Sequence, residues 1–346
     1  MDQQVYSPVT PLTHMDKKTN NIPWSLITGN EGTYRVSEDT ITEFEEAVLS
    51  DKGIRRAPTA PYVVSRASFR LWSGLWDVPV MKSLPRLAQR TLPAGSPQLC
   101  ILMGPRLKKC FPWFLLRGPK AVYLFDAWPH YYPLLVKFLS DFTVDPVFVS
   151  SQQSAENLSR MTGHRGIHWI PEGVDPCRYH YSPYTDKTID LLFMGRRFEP
   201  VHRKMVGPLA EKGVTYLYTR EEGGLVFPDF SSFREGLAQT RISVCYPASV
   251  THPERAAGVE TMTNRYLQSM ASKCLVVGKT PAEMIALFGY DPVIALEEGD
   301  PAGHILDILA HFDRYVPLIE RNYDAVRNHH TWLHRWQEMT RWLGVR

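Results

Sequence analysis

Residues 189–197 read Ile-Asp-Leu-Leu-Phe-Met-Gly-Arg-Arg, a short apolar run that stops at a glycine and two arginines. The run is too short for a helix and too apolar for a strand with one wet face. It predicts a strand buried on both sides. Helix-length Arg203–Lys212 follows, and the rhythm repeats: strand Val214–Tyr218, helix Ser232–Thr240, strand Ile242–Tyr246, loop Pro247–Glu260 and helix Asn264–Ser272. Strand Cys274–Val277, a short helix with Pro281 at its first position and strand Val293–Leu296 close the series.

The same alternation stands upstream. Strands are expected at Leu99–Met103, Ala121–Phe125, Pro146–Ser150 and His168–Pro171, with helices at Tyr131–Phe142 and Ser151–Thr162. Between Asp175 and Lys187, Pro, Tyr, Ser and Asp crowd into a polar seam. The expectation is an α/β protein of two doubly wound, Rossmann-like domains, 24–178 and 186–325, behind an irregular tail, 1–23. Ligands of such sheets bind beyond the carboxyl ends of the strands, here in the cleft between the halves. Nearer the start, Thr40 and Glu43 have capping-box spacing within a helical stretch Ser37–Leu49, whose Ile41, Phe44, Val48 and Leu49 share a face. The Pro- and Arg-rich stretch Asp51–Ser96, with Trp72 and Trp76, gives no element.

Composition bounds the function. The 346 residues carry 39 Lys+Arg against 36 Asp+Glu, a net +3 that suits an anionic small ligand and falls short of a nucleic-acid-coating protein. Five scattered cysteines form neither a zinc-like spacing nor a disulfide framework, and they predict a reduced, intracellular protein. The first residues lack a secretory apolar core, and no stretch reaches the ~18–20 apolar residues of a spanning helix. A cytoplasmic protein, at most peripheral to a membrane, is expected.

Two clusters carry chemistry. Gly195 ends a strand with Arg196, Arg197, Arg203 and Lys204 close behind, which suits a diphosphate; the bland alternative is solvated surface arginine. Glu260-Thr261-Met262-Thr263-Asn264-Arg265 brings a carboxylate to a helix mouth with Thr263 as N-cap, a ready anion site. Arg265 opposes the helix dipole there unless an anion lies near, or it pairs with a neighbouring loop; Glu260 is otherwise a surface acid. In the first half, Asp126 and His130 follow a strand directly and are candidates to orient or deprotonate an acceptor hydroxyl. Otherwise Asp126 caps the next helix and Trp128 fills core. His252 is a weaker candidate. Arg106–Lys120 mixes cations with Phe111, Trp113 and Phe114; a buried connection is favoured over a lipid-docking segment. His329, His330 and His334 read as helix surface, and no metal site is expected.

Several elements together resemble a known group. FMGRR followed by HRK, VFVSSQQSAENL, Ile170–Asp175 (IPEGVD), Glu260-x7-Gln268 followed by SMASKCLVVG, and His329–Leu343 (HHTWLHRWQEMTRWL) occur in the order seen in GT-B glycosyltransferases. The chain is similar to glycosyltransferase family 4 and its CgeB-like branch over roughly residues 120–346. The resemblance implies a retaining, metal-independent transfer of sugar from a nucleotide-diphosphate donor, with no further cofactor. It places the acceptor on the first domain, the nucleotide sugar on the second, and a crossover helix at 326–346. Arg196, with Arg203 or Lys204, would hold the diphosphate beside Gly195. Glu260 would bind donor-sugar hydroxyls. Thr261, Met262 and Thr263, with Asn264 and Arg265, would bind phosphates or sugar. Gln268 stands where the family has a ribose-binding glutamate, and Glu172 where the linker has asparagine. The acceptor would be a glycan, a lipid-linked or another hydroxyl. The alternatives are a modified DNA base, or a scaffold that has lost the chemistry.

Overall fold

The computed structural model describes residues 23–28, 39–58, 60–74, 95–219 and 226–345. Nearly all of the expected tail, residues 37–38 and Trp76 lie outside them.

The first sheet is wholly parallel, in the order β2-β1-β3-β4-β5-β6, from β1 (Trp24–Ile27), β2 (Ile54–Arg56), β3 (Gln98–Met103), β4 (Lys120–Phe125), β5 (Val147–Val149) and β6 (Ile167–Trp169). Two-residue alternation divides its core. Cys100, Leu102, Val122 and Leu124 face the helix Tyr132–Phe142. Leu99, Ile101, Tyr123 and Phe125 face the helices Asp39–Leu49 and Trp332–Leu343. Strands β1 and β2 carry four and three residues, too few for a pattern in sequence.

The second sheet is also wholly parallel, in the order β11-β10-β9-β7-β8, from β7 (Ile189–Phe193), β8 (Tyr216–Leu217), β9 (Thr240–Cys245), β10 (Leu275–Gly278) and β11 (Ile294–Ala295). This is the expected doubly wound α/β architecture, with each sheet covered on both faces. Some boundaries move for local reasons. The helix expected from Arg203 runs Glu199–Glu211, because Pro200 is tolerated in a first turn. The helix expected from Ser232 starts at Phe230, where Asp229 accepts from the Ser232 amide, and Thr240 passes to β9. Pro281 is extended and caps the helix Ala282–Phe288 from outside. The loop before Glu260 holds two single helical turns, Ala248–Thr251 and Pro253–Ala256.

The C-terminal segment crosses back. The helix Val316–His329 breaks at His330, and a second helix, Trp332–Leu343, lies against the first domain. Trp332 stacks on Phe44 with ring centroids 4.4 Å apart, and the Trp336 indole donates to Asp51 Oδ2 at 2.9 Å. His334 serves in the capping box with Thr331. His330 is buried, and burial together with Arg335 pushes its imidazole down to about 3, so this is a neutral core histidine rather than helix surface.

One sequence expectation needs correction, and another, the buried connection over Arg106–Lys120, holds. Thr40 lies inside the helix Asp39–Leu49, and Glu43 does not reach back as a cap. Its carboxylate instead accepts from the Asp175 amide at 3.0 Å and the Tyr179 hydroxyl at 2.8 Å. The Arg106–Lys120 segment offers little to a lipid surface, since Leu107, Cys110, Phe111 and Phe114 are core. Lys109 is tied to Glu45 at 2.7 Å and Lys120 to the Leu116 and Gly118 carbonyls.

Candidate functional site

The carboxyl ends of β4, β7, β9 and β10 meet at the seam between the sheets. Asp126 leaves β4 with φ +47, a left-handed conformation that costs a non-glycine residue free energy and often marks a functional turn. It does not cap the next helix, whose flanking residue is Tyr131. Burial raises the Asp126 carboxyl above its usual range, and Arg255, Arg265, Arg196 and Arg106 pull it back. Trp128 is buried against Ala256 and Val259 of the second half, the core role expected of it. His130 is exposed and meets Tyr131 edge-on, its ring centroid 5.2 Å away.

Opposite Asp126, β7 delivers Gly195 and Arg196. Gly195 has φ +76, and a Cβ there would stand 2.5 Å from Arg265 Nη1. The glycine therefore makes room for the chain's own arginine, which donates to the Met194 carbonyl at 2.9 Å rather than to a neighbouring acid. Arg196 is exposed, and among the described residues it makes no hydrogen bond or ion pair. Partial enclosure of its guanidinium in the cleft, then the fields of Arg255 and Arg265, lower its affinity for the proton. Arg255, unread in sequence, reaches the Tyr131 hydroxyl at 3.4 Å across the seam. Its place in the long loop after β9, at the carboxyl end of the sheet, was the available signal. His252 bonds Thr251 Oγ1 at 2.9 Å, and burial followed by Arg196 lowers its pKa.

Arg203 and Lys204 stand apart from this group. Arg203 is exposed and 3.9 Å from Glu199, and Lys204 donates to the Glu298 carbonyl at 2.7 Å.

The loop before the helix Asn264–Ala271 is held by two carboxyl groups, Glu283, which nothing in the sequence marked, and Glu172. Glu283 accepts from the Thr261 hydroxyl at 2.8 Å and the Met262 amide at 2.6 Å, and through its other oxygen from the Gln152 amide at 2.9 Å. One buried side chain thus joins the mouths of two helices from opposite domains. Glu172 accepts from the Asn264 amide at 2.6 Å, and burial, with Asp126 adding to it, pushes this carboxyl well up. Two backbone donors expected to meet a ligand therefore already donate to internal carboxyl groups. The Thr261 and Thr263 amides make no hydrogen bond among the described residues. Thr263 occupies the N-cap position without capping through its side chain, and the Asn264 side-chain amide is buried and unpartnered. Glu260 pairs with Lys279 at 2.5 Å, and its amide donates to Gln153 Oε1 at 2.8 Å. Gln268 is buried, its Nε2 donating to the Tyr179 hydroxyl at 2.9 Å. Among the described residues no cluster of three or more His, Cys, Asp or Glu is arranged to hold a metal ion.

No protein-family model matches the chain, and no curated protein matches it. Solved structures do. The chain is similar to Anabaena HepE, solved in complex with UDP and glucose, with a TM-score of 0.58 at 12% identity over 93% of this chain and 99% of HepE. Sucrose-phosphate synthase from Thermosynechococcus elongatus gives 0.57 at 12% identity over 92% and 97%. TarM gives 0.50 at 13% identity over 72% and 54%. At such identities the likeness speaks for the fold, and that fold is GT-B.

Proposed function

We propose that the chain is a glycosyltransferase that moves a sugar from a nucleotide-diphosphate donor to an acceptor hydroxyl. The observation that carries this is the convergence of Arg196, Arg255 and Arg265 at the β7 end, facing Asp126 across the cleft. Like-charged guanidiniums lower one another's charge affinity, and a diphosphate between them relieves that cost. The same cations would stabilise the diphosphate as it departs, the task a metal performs elsewhere. The free Thr261 and Thr263 amides at the helix mouth add neutral donors for phosphate or sugar oxygens. Asp126, poised by burial, is the group to take the acceptor proton, and His130 stands at the open edge to orient the acceptor. Glu260 binds donor hydroxyls. Gln268 offers its remaining carbonyl oxygen to a ribose hydroxyl. The domains 24–178 and 186–325 then supply the acceptor and donor sides. HepE's complexes with UDP and UDP-glucose favour a uridine donor. Retention of configuration and a cytoplasmic location rest on the sequence resemblance and composition.

The test is a thermal-shift series with UDP-, GDP-, ADP- and dTDP-sugars, repeated on Arg196→Ala. A ligand at about 100 times its Kd stabilises by ~2.7 kcal/mol, which is readily seen. One nucleotide should raise Tm in the parent and not in the variant. A second reading, a scaffold without chemistry, draws on the Glu172 and Glu283 carboxylates that already hold the Asn264 and Met262 amides. No shift with any donor, and no donor hydrolysis, would favour it.

A further inference from the structure

Val63, Ala67 and Leu71 recur every fourth residue along the helix Tyr62–Gly74, and all three are exposed, Val63 at 75% and Leu71 at 63%. Tyr62 and Val64 extend this ridge, so four of the nine large hydrophobic residues exposed among the described residues lie on one helix. Arg66 and Arg70, also exposed, run alongside, and neither forms an ion pair among the described residues. The opposite side is firmly anchored. Trp72 is buried, donates to Asp141 Oδ2 at 2.9 Å and packs on Phe111 and Phe142. Phe69 packs beside it on Phe111, so the ridge is not a helix that has failed to dock.

Charge says what the ridge fits. Along the helix stand Arg66 and Arg70 and no carboxylate, in a chain whose net charge is only +3. Lys108 adds its ammonium 3.6 Å from the Tyr62 ring centroid. Apolar side chains flanked by uncompensated arginines, with a tyrosine at one end, match the boundary between acyl chains and anionic headgroups. Nucleic acid would use the arginines and leave Val63, Val64 and Leu71 wet. At ~1.5 Å per residue the helix is about 20 Å long, enough to lie along a bilayer surface and far too short and polar to cross one.

We propose that the helix Tyr62–Gly74 docks the protein onto an anionic lipid surface. Its Tyr62 end lies beside Lys108, and Arg106, two residues earlier, acts on Asp126, so the docked face adjoins the acceptor side of the cleft. That a lipid-borne acceptor is served this way rests on the transferase reading; the docking itself does not.

Co-sedimentation of the full chain with phosphatidylglycerol/phosphatidylcholine vesicles, against phosphatidylcholine alone, decides the matter. The parent should sediment with the anionic vesicles and be released by high salt. The double variant Val63→Asp/Leu71→Asp should bind about ten-fold or more weakly with unchanged Tm, and Arg66→Glu/Arg70→Glu likewise. Equal binding to both lipids, unchanged binding by the variants, or no binding would overturn the proposal. So would salt-sensitive binding of duplex DNA without vesicle binding, or a dimer in sedimentation velocity that Leu71→Asp dissociates. A donor-dependent thermal shift in a protein that ignores vesicles would defeat the docking and leave the transferase reading standing.

Discussion

Gln268 and Glu43 are joined through one hydroxyl: Tyr179 lies 2.9 Å from Gln268 Nε2 and 2.8 Å from Glu43 Oε1. Glu43 belongs to a first-domain helix and Gln268 to the helix whose mouth faces the cleft. The relay fixes the amide so that nitrogen points at Tyr179 and oxygen away from it. Tyr179→Phe leaves two buried polar groups short of a partner and should cost about 1–3 kcal/mol in urea unfolding. With Gln268 free to turn, the donor KM should rise several-fold while kcat changes little. An unchanged KM would detach Gln268 from the donor.

The same relay predicts a pH dependence. Burial and the Asp39 carboxylate push Glu43 up to about 8, from an ordinary 4.5. The folded protein therefore holds a proton that the unfolded chain gives up between those values. Stability from this group is full below about 4.5 and is lost as pH rises through about 8. Urea titrations from acid to mildly alkaline pH should show the parent weakening more steeply than Glu43→Gln. Parallel profiles would mean that Glu43 is charged in the folded protein at neutral pH.

The sheets were legible because buried parallel strands such as LLFM and AVYLF are near-continuous apolar runs, which survive without knowledge of their neighbours. β1 and β2 were not, since three or four residues beside a Pro- and Arg-rich stretch carry no period. The glycine–arginine turn and the Glu260 loop could be read because strand-end position alone singles them out. Glu172 and Glu283 could not. Their roles depend on which amides a carboxylate meets across 92 and 21 residues of chain, and sequence spacing holds no trace of that. Arg203 and Lys204 show the converse: adjacency in sequence placed them with Arg196, and helix geometry turned them to Glu199 and Glu298.

Glu283 should act as a fastening between the domains. Glu283→Ala strands the Gln152 and Met262 amides and the Thr261 hydroxyl, with an expected loss of about 2–4 kcal/mol. Glu283→Gln keeps a carbonyl acceptor and should recover part of it. Comparable stability for both variants would show that water replaces the carboxylate.

Gly195→Ala tests the crowding at the β7 turn. A left-handed alanine costs roughly 1–2 kcal/mol, and the new Cβ must push Arg265 aside. The fold should survive with lower Tm, and the donor-induced shift should shrink more than in a Lys204→Ala control. A variant with the parent's donor shift would remove Arg265 from the diphosphate site.

Asp126→Asn separates the chemistry from the fold. Asparagine tolerates φ +47 as well as aspartate does, so the turn should hold and Tm should stay close to that of the parent. A missing general base typically costs about 10²–10⁴ in rate. The raised carboxyl adds a signature, because the base works only when ionised. Parent kcat should climb with pH through a midpoint above the ordinary carboxylate range, and the residual rate of the variant should be flat there. Parent-like turnover in Asp126→Asn would move proton abstraction elsewhere. His130→Ala, measured beside it, would then show whether the exposed imidazole performs that step, since its loss should lower the rate as far as the loss of a general base does.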